Sequence, residues 1–242
     1  MESVARGRVR VERSAKRVRV FFGGRAVADT VRALLVWEVP YYPTYYFPRR
    51  DVAVELEPNG RGQHSPSRGE AVLYDVAGVE DAALSYPDSP IEELRDHVRF
   101  EWEAADAWFE EDEEVYVHPR DPHTRVDVLP SSRHVRVEVD GVVVADSHHP
   151  RILFETGLPP RYYLPKTDVR LDLLVPTETV TRCPYKGTAE YWSVNGHPDL
   201  AWSYRTPLEE SGRVAGLVAF YDEKVDVYVD GVLQERPKTK FA

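Results

Sequence analysis

The sequence holds a single cysteine, Cys183, so neither an intrachain disulfide nor a cysteine-based zinc site can form. Such sparse cysteine usage suits a reducing compartment. No apolar run approaches the ~18 residues of a membrane span. The N-terminal residues carry charges without the apolar stretch of a signal peptide. The expectation is a soluble, cytoplasmic protein with no membrane partner. A basic surplus is also missing: the formal net charge is −10, whereas nucleic-acid binding needs a basic footprint. The one Arg-rich stretch (Arg6, Arg8, Arg10, Arg13, Lys16, Arg17, Arg19) alternates with Val9, Val11, Val18 and Val20, and reads as the polar face of strands. There is no Gly-rich phosphate loop either, because Gly23-Gly24 sits in a hairpin pattern and not ahead of a helix. No cofactor is expected.

Apolar material is plentiful. Hydrophobic residues make up 42% and aromatics 11%, enough to build a core and to exclude a disordered chain. Its arrangement is a duplication. Residues 16–52 align without a gap onto residues 133–169, about 117 positions on, with 14 of 37 identical. Gly24, Val27, Ala28 and Asp29 meet Gly141, Val144, Ala145 and Asp146; Glu38 meets Glu155; Tyr45–Val52 meets Tyr162–Val169. After a one-residue slip, Ser65–Val76 meets Cys183–Val194, and Ser85-Tyr86 meets Ser203-Tyr204. The ends are read as Val115-Tyr116-Val117 against Val227-Tyr228-Val229. The boundaries are residues 1–120 for the first module and 133–242 for the second, with a polar, Pro-containing linker over 121–132.

Strands dominate the pattern. Alternating runs flank Gly23-Gly24, Asp140-Gly141, Asn195-Gly196 and Asp230-Gly231, pairs that supply the positive φ of a two-residue hairpin turn. Ser89-Pro90-Ile91-Glu92 and Thr206-Pro207-Leu208-Glu209 read as capping boxes opening one short helix per module. Ala104–Glu114 reads as a helical turn or a charged loop, with Glu110–Glu114 a solvated acidic run.

The paired Gly, Ala-Asp, Glu, Tyr-x-Pro-x-x-Asp-Val and Pro-x-Lys/Arg-Gly-x-Ala elements resemble the bacterial "domain of unknown function 427" family, also labelled nucleotidyltransferase-like. The resemblance covers nearly the whole chain in two-module form. It implies a mainly β fold: two β-tent-like modules of antiparallel sheets, each with a pocket between its sheets, packed as a pseudo-dimer. Relatives often carry a Cys-rich structural zinc, which this sequence lacks the cysteines to hold. The family brings no function with it.

Three candidate chemistries follow from the residues. In Thr181–Gly187, Cys183 lies three residues from Lys186, an arrangement that can activate a thiol nucleophile; a packing cysteine is the alternative. The first copy has Ser65 and Arg68 there, so only a cation is common to both. Glu38 and Glu155 interrupt apolar stretches and would be buried against Arg68 and Lys186, as a general base, a ligand anchor or a structural ion pair. Tyr46, Tyr74, Tyr163, Trp192 and Trp202 would line a small-molecule pocket or simply pack in the β-core. Asp51 and Asp168 suit a turn cap at a strand start. His118, His123, His148 and His149 lie in polar loops with no matched set in the other copy, so no metal is expected. The leading reading is small-molecule binding in an aromatic-lined pocket, better formed in the second module, with Lys186 and Glu155 or Arg68 and Glu38 setting polarity. The alternatives are an enzyme using Cys183, Lys186 and Glu155, and an interaction module without chemistry. The chain would be a monomer with internal pseudo-twofold symmetry or a homodimer.

Overall fold

A computed structural model describes residues 9–239 of the chain. Two compact units divide it, Met1–Asp121 and Pro122–Ala242. Both are built of antiparallel strands and short 3-10 turns, with no α-helix among the described residues. Arg6 and Arg8 lie outside those residues.

In the first module a seven-stranded sheet runs in the order Arg10–Arg13, Leu34–Val39, Tyr42–Pro48, His97–Phe100, Val79–Ser85, Gly69–Val76, Pro58–Ser65. A four-stranded sheet runs Glu113–Glu114, Ala107–Glu110, Val18–Phe22, Arg25–Thr30. Alternation decides which residues meet: Val18, Val20 and Phe22 point to one side of their strand, where they pack with Tyr45, Phe47, Tyr74, Phe100 and Trp108. Arg19 and Phe21, between them, lie on the opposite side. Arg17 pairs with Asp29, and Arg19 with Asp112, the surface role expected of the Arg-rich stretch.

The second module repeats the plan. Val135, Val137 and Val139 pack with Leu164, Ala201, Phe220 and Val227. Its large sheet is divided. Val126–Pro130, Arg151–Glu155 and Arg161–Tyr163 form one part, and Leu174–Cys183, Gly187–Val194, His197–Pro207 and Val218–Phe220 the other. The pairing that joins the halves in the first module, Phe47 with Val98 and Pro48 with His97, shrinks here to a single bridge, Leu164 with Val218.

The hairpin turns form where the sequence places them. Both central residues have positive φ at Gly23-Gly24 (57° and 70°), Asp140-Gly141 (51° and 76°), Asn195-Gly196 (50° and 83°) and Asp230-Gly231 (53° and 81°). The first copy's equivalent of Asn195-Gly196 is Ala77-Gly78, and Ala77 is forced to φ 50°, which a Cβ-bearing residue without a polar side chain adopts at a cost.

Four local expectations change. Val126–Pro130, inside the stretch read as a linker, is a strand paired with Arg151–Glu155; its Val126, Val128 alternation outweighs its flanking polarity. Ala104–Glu114 is neither helix nor loop: Ala107–Glu110 is a strand, with Trp108 and Glu110 buried. That strand pairs with Val18–Phe22 as Asp226–Val229 pairs with Val135–Val139. Tyr228 is therefore the counterpart of Phe109, and Val115-Tyr116-Val117 falls outside the repeat. Finally, the two capping-box segments form only 3-10 turns, Glu92–Leu94 and Glu209–Val214, with no side-chain cap. Ser89 Oγ instead accepts from the Ile91 amide at 3.1 Å, a local turn that competes with helix entry.

Candidate functional site

The site residues stand on the face of the large sheet turned away from the shared core. In the strand Leu34–Val39, Leu35 and Trp37 go to the core, while Leu34 and Val36 go to a second apolar cluster with Tyr46, Ala71, Leu84, Tyr86 and Leu94. Glu38, two residues beyond Val36, emerges beside that cluster. The same placement holds in the second copy, where Leu153, Tyr163, Ala189, Trp202, Tyr204 and Val214 take the matching positions, and Glu155 stands where Glu38 does. The expected ion pairs form in both: Arg68 Nη2 lies 3.3 Å from Glu38 Oε2, and Lys186 Nζ lies 2.5 Å from Glu155 Oε2.

The two centres then diverge. In the first copy both carboxylate oxygens are taken. Tyr46 donates its hydroxyl to Glu38 Oε1 at 2.5 Å, and Arg99 Nη1 donates to Oε2 at 2.7 Å. Arg99 also pairs with Glu101, and the Arg68 guanidinium lies over the Tyr86 ring, 5.3 Å from its centroid. Burial, then the Glu38 carboxylate, pushes the Tyr46 hydroxyl well above its ordinary pKa. Burial opposes the Arg99 charge, but Glu38 and Glu101 outweigh it and raise its pKa.

In the second copy Ala219 replaces Arg99, as the pairing of Trp202 with Ala219 against Leu84 with Arg99 shows. The Glu155 carboxylate keeps Lys186 as its one hydrogen-bond donor among the described residues. Tyr163 has turned to Trp202, accepting from the indole Nε1 at 3.3 Å. Burial lifts the Tyr163 hydroxyl to about 12. The Tyr204 hydroxyl, matching Tyr86, has no hydrogen-bond partner among the described residues, and burial raises its pKa strongly, helped by Tyr163 and Cys183. Burial works against the Lys186 charge; Cys183 and Glu155 overcome it, and the amine's pKa is raised. Cys183 ends the strand Leu174–Cys183, and a turn closed by the Lys186 amide on its carbonyl (3.3 Å) brings it to this centre. It is partly exposed.

Tyr74 and Trp192 do not join these centres. Along Gly69–Val76, Ala71 faces the ion pair and Tyr74 faces the shared core, where its hydroxyl bonds Arg49 and Ser85. Trp192 likewise flanks the core of its module, with Lys166 5.9 Å over its ring. A concavity of 940 Å³ lies elsewhere in the first module, lined by Arg13, Arg32, Arg49, Arg50 and His97 among others, and includes none of the expected ligand residues.

Asp51 and Asp168 act alike and structurally, accepting from Thr30 and Ser147 hydroxyls at 2.6 Å. Sequence reasoning missed Arg99, although alternation in His97–Phe100 sends Val98 and Phe100 to the core and Arg99 to the opposite face. It also missed Glu110, a buried carboxylate that accepts from Tyr45 at 2.7 Å, from the Arg120 amide at 3.1 Å and from Lys16. Read as solvated, Glu110 was concealed by the acidic residues that follow it.

No curated protein matches the chain. The family model described as "Domain of unknown function (DUF427)" matches twice, over residues 10–111 and 127–231. These spans coincide with the two modules, and the chain belongs to that family, carrying its domain in two tandem copies.

Proposed function

We propose that the protein binds a small molecule at the Lys186–Glu155 centre of the second module, and that the Arg68–Glu38 centre of the first is its structural relic. One observation carries this reading: the carboxylate at this position has three side-chain donors on its two oxygens in the first copy and a single one, Lys186, in the second. Desolvating an ion pair costs several kcal/mol per ion unless the remaining valences are satisfied. Tyr46, Arg68 and Arg99 supply donors to both Glu38 oxygens. Around Glu155 the Tyr204 hydroxyl, the Tyr163 proton and two of the Lys186 protons have no acceptor among the described residues, while Tyr191, Trp202 and Tyr204 give an apolar wall. A few convergent polar groups set in aromatic surface suit a small ligand carrying an acceptor, such as a carbonyl or carboxylate. The test is a thermal-shift and ligand-observed NMR screen of small carbonyl and carboxylate compounds on the full chain. Hits should vanish in Lys186→Met and survive in Arg68→Met. Hits that ignore Lys186, or a screen with none, reject the reading.

A second reading has its own support. The partly exposed Cys183 lies within electrostatic reach of Lys186, Tyr163 and Tyr204. That places a nucleophile, a cation and two phenols in one cluster. Turnover abolished by Cys183→Ser but binding retained would favour it.

A further inference from the structure

The expectation of no metal rested on histidines scattered through loops. The fold brings one of them, His148, beside His134, which lies outside that set. In the hairpin of the second module, Val135 pairs with Ser147 and Arg136 with Asp146, which sets His134 opposite His148 and leaves Asp146 two residues away on the same face. The His134 Nε2 lies 2.7 Å from Asp146 Oδ1, and the two imidazoles stack with centroids 4.2 Å apart, tilted by 11°. Donor atoms of all three side chains lie within 4.8 Å of one another.

We infer that His134, Asp146 and His148 form a binding site for a borderline divalent transition metal of the zinc class. Two imidazoles and one carboxylate are the ligand set such ions prefer over calcium or magnesium. Metal–ligand bonds of ~2.0–2.2 Å hold neighbouring donors somewhat over ~3 Å apart, so the His134–Asp146 spacing needs only a small opening as the ion replaces the shared proton. The stacked rings do not yet converge. His148 is exposed, so its ring can swing to present a nitrogen without disturbing the core. The remaining coordination positions fall to water, making the site exchangeable.

The first module provides the contrast. At the matching positions stand Arg17, Asp29 and Val31. There Arg17 binds Asp29 through Nε at 2.7 Å and through Nη2, an ordinary surface ion pair with no metal ligand besides the carboxylate. The second copy keeps the aspartate and exchanges both other residues for imidazoles. Other charged groups nearby are Arg136, opposite Asp146 and paired with Glu138, Asp230, which accepts from the His134 amide, and Arg133, which pairs with Asp230.

The experiment is calorimetric titration of the chelator-stripped full chain with Zn²⁺, alongside the visible spectrum with Co²⁺. One saturable zinc site per chain in the micromolar range and Co²⁺ d–d bands are expected. The double variant H134R/H148V rebuilds the arrangement of the first module, so its fold is one the chain already adopts; circular dichroism checks this. Zinc affinity should fall by at least ~10-fold, since even losing an outer-shell partner costs 10–100-fold, and the Co²⁺ bands should disappear. H197A, at a separate exposed His–Asp pair, should leave both unchanged. Absence of a saturable site, or equal affinity in the double variant, overturns the assignment.

Discussion

The divergence of the two carboxylate centres predicts that one substitution, made at equivalent positions, has unequal effects. Tyr46→Phe and Tyr163→Phe each delete a hydroxyl and keep the ring. Tyr46 donates to an ionised carboxylate at 2.5 Å, and hydrogen bonds to charged groups contribute ~1.5–3 kcal/mol. The upper part of that range applies, because Arg68 and Arg99 both bind Oε2 and Oε1 is left without a donor. Tyr163 instead accepts a neutral indole N–H at 3.3 Å, a long bond of ~1 kcal/mol. The first substitution should therefore cost ~1–2 kcal/mol more than the second, about tenfold in the folding equilibrium. Urea denaturation of the full-length chain measures this from the transition midpoints, provided the slopes stay equal. The Tyr46 pKa is raised, so above pH ~10 the unfolded tyrosine releases a proton that the folded one retains. Stability should decline with rising pH there, less steeply in Tyr46→Phe. A Tyr163→Phe cost equal to or above that of Tyr46→Phe would refute the contrast between the centres.

Other outcomes follow from single positions. Ala77→Asn gives the first copy the turn residue that Asn195 supplies in the second; relieving φ 50° should stabilise by up to ~1 kcal/mol, read as a higher melting temperature. Gly187→Ala should destabilise by more than ~1 kcal/mol, since φ is +94° and the new Cβ would meet the Leu208 nitrogen at 3.4 Å. Burial raises the Asp222 carboxyl to about 7, against the opposing pull of Arg161. The unfolded group ionises near 3.8, so its contribution is complete below that pH and lost as pH rises toward 7. Asp222→Asn should flatten the stability profile over that window.

Much of the fold was legible because it rests on local signals. The type I′ turns needed Gly, Asn or Asp at fixed places, and alternation sorted core from surface in Val18–Phe22 and Val135–Val139 alike. Pairing of Glu38 with Arg68 and Glu155 with Lys186 was legible from the repeat, since two conserved charge positions in apolar settings must neutralise each other. The short helices form as 3-10 segments and not α-helices, because a capping box specifies only an entrance and no amphipathic run follows it. Tyr74 and Trp192 were misplaced because aromatic content does not say which face of a strand a ring occupies. The pairing of Asp226–Val229 with Val135–Val139 showed the end of the repeat to lie seven residues from the expected match, with Phe109 in place of Tyr116 opposite Tyr228, which a match of three common residues cannot reveal.

Small-molecule binding requires that the second centre be open while the chain is folded. Iodoacetamide alkylation of Cys183, followed by mass spectrometry across increasing urea, addresses this directly. Reaction in native buffer, at a rate indifferent to urea until the unfolding transition, is the result predicted by a partly exposed thiol at an accessible site. A rate that follows the unfolded fraction from the start would show a sealed centre and contradict the binding function.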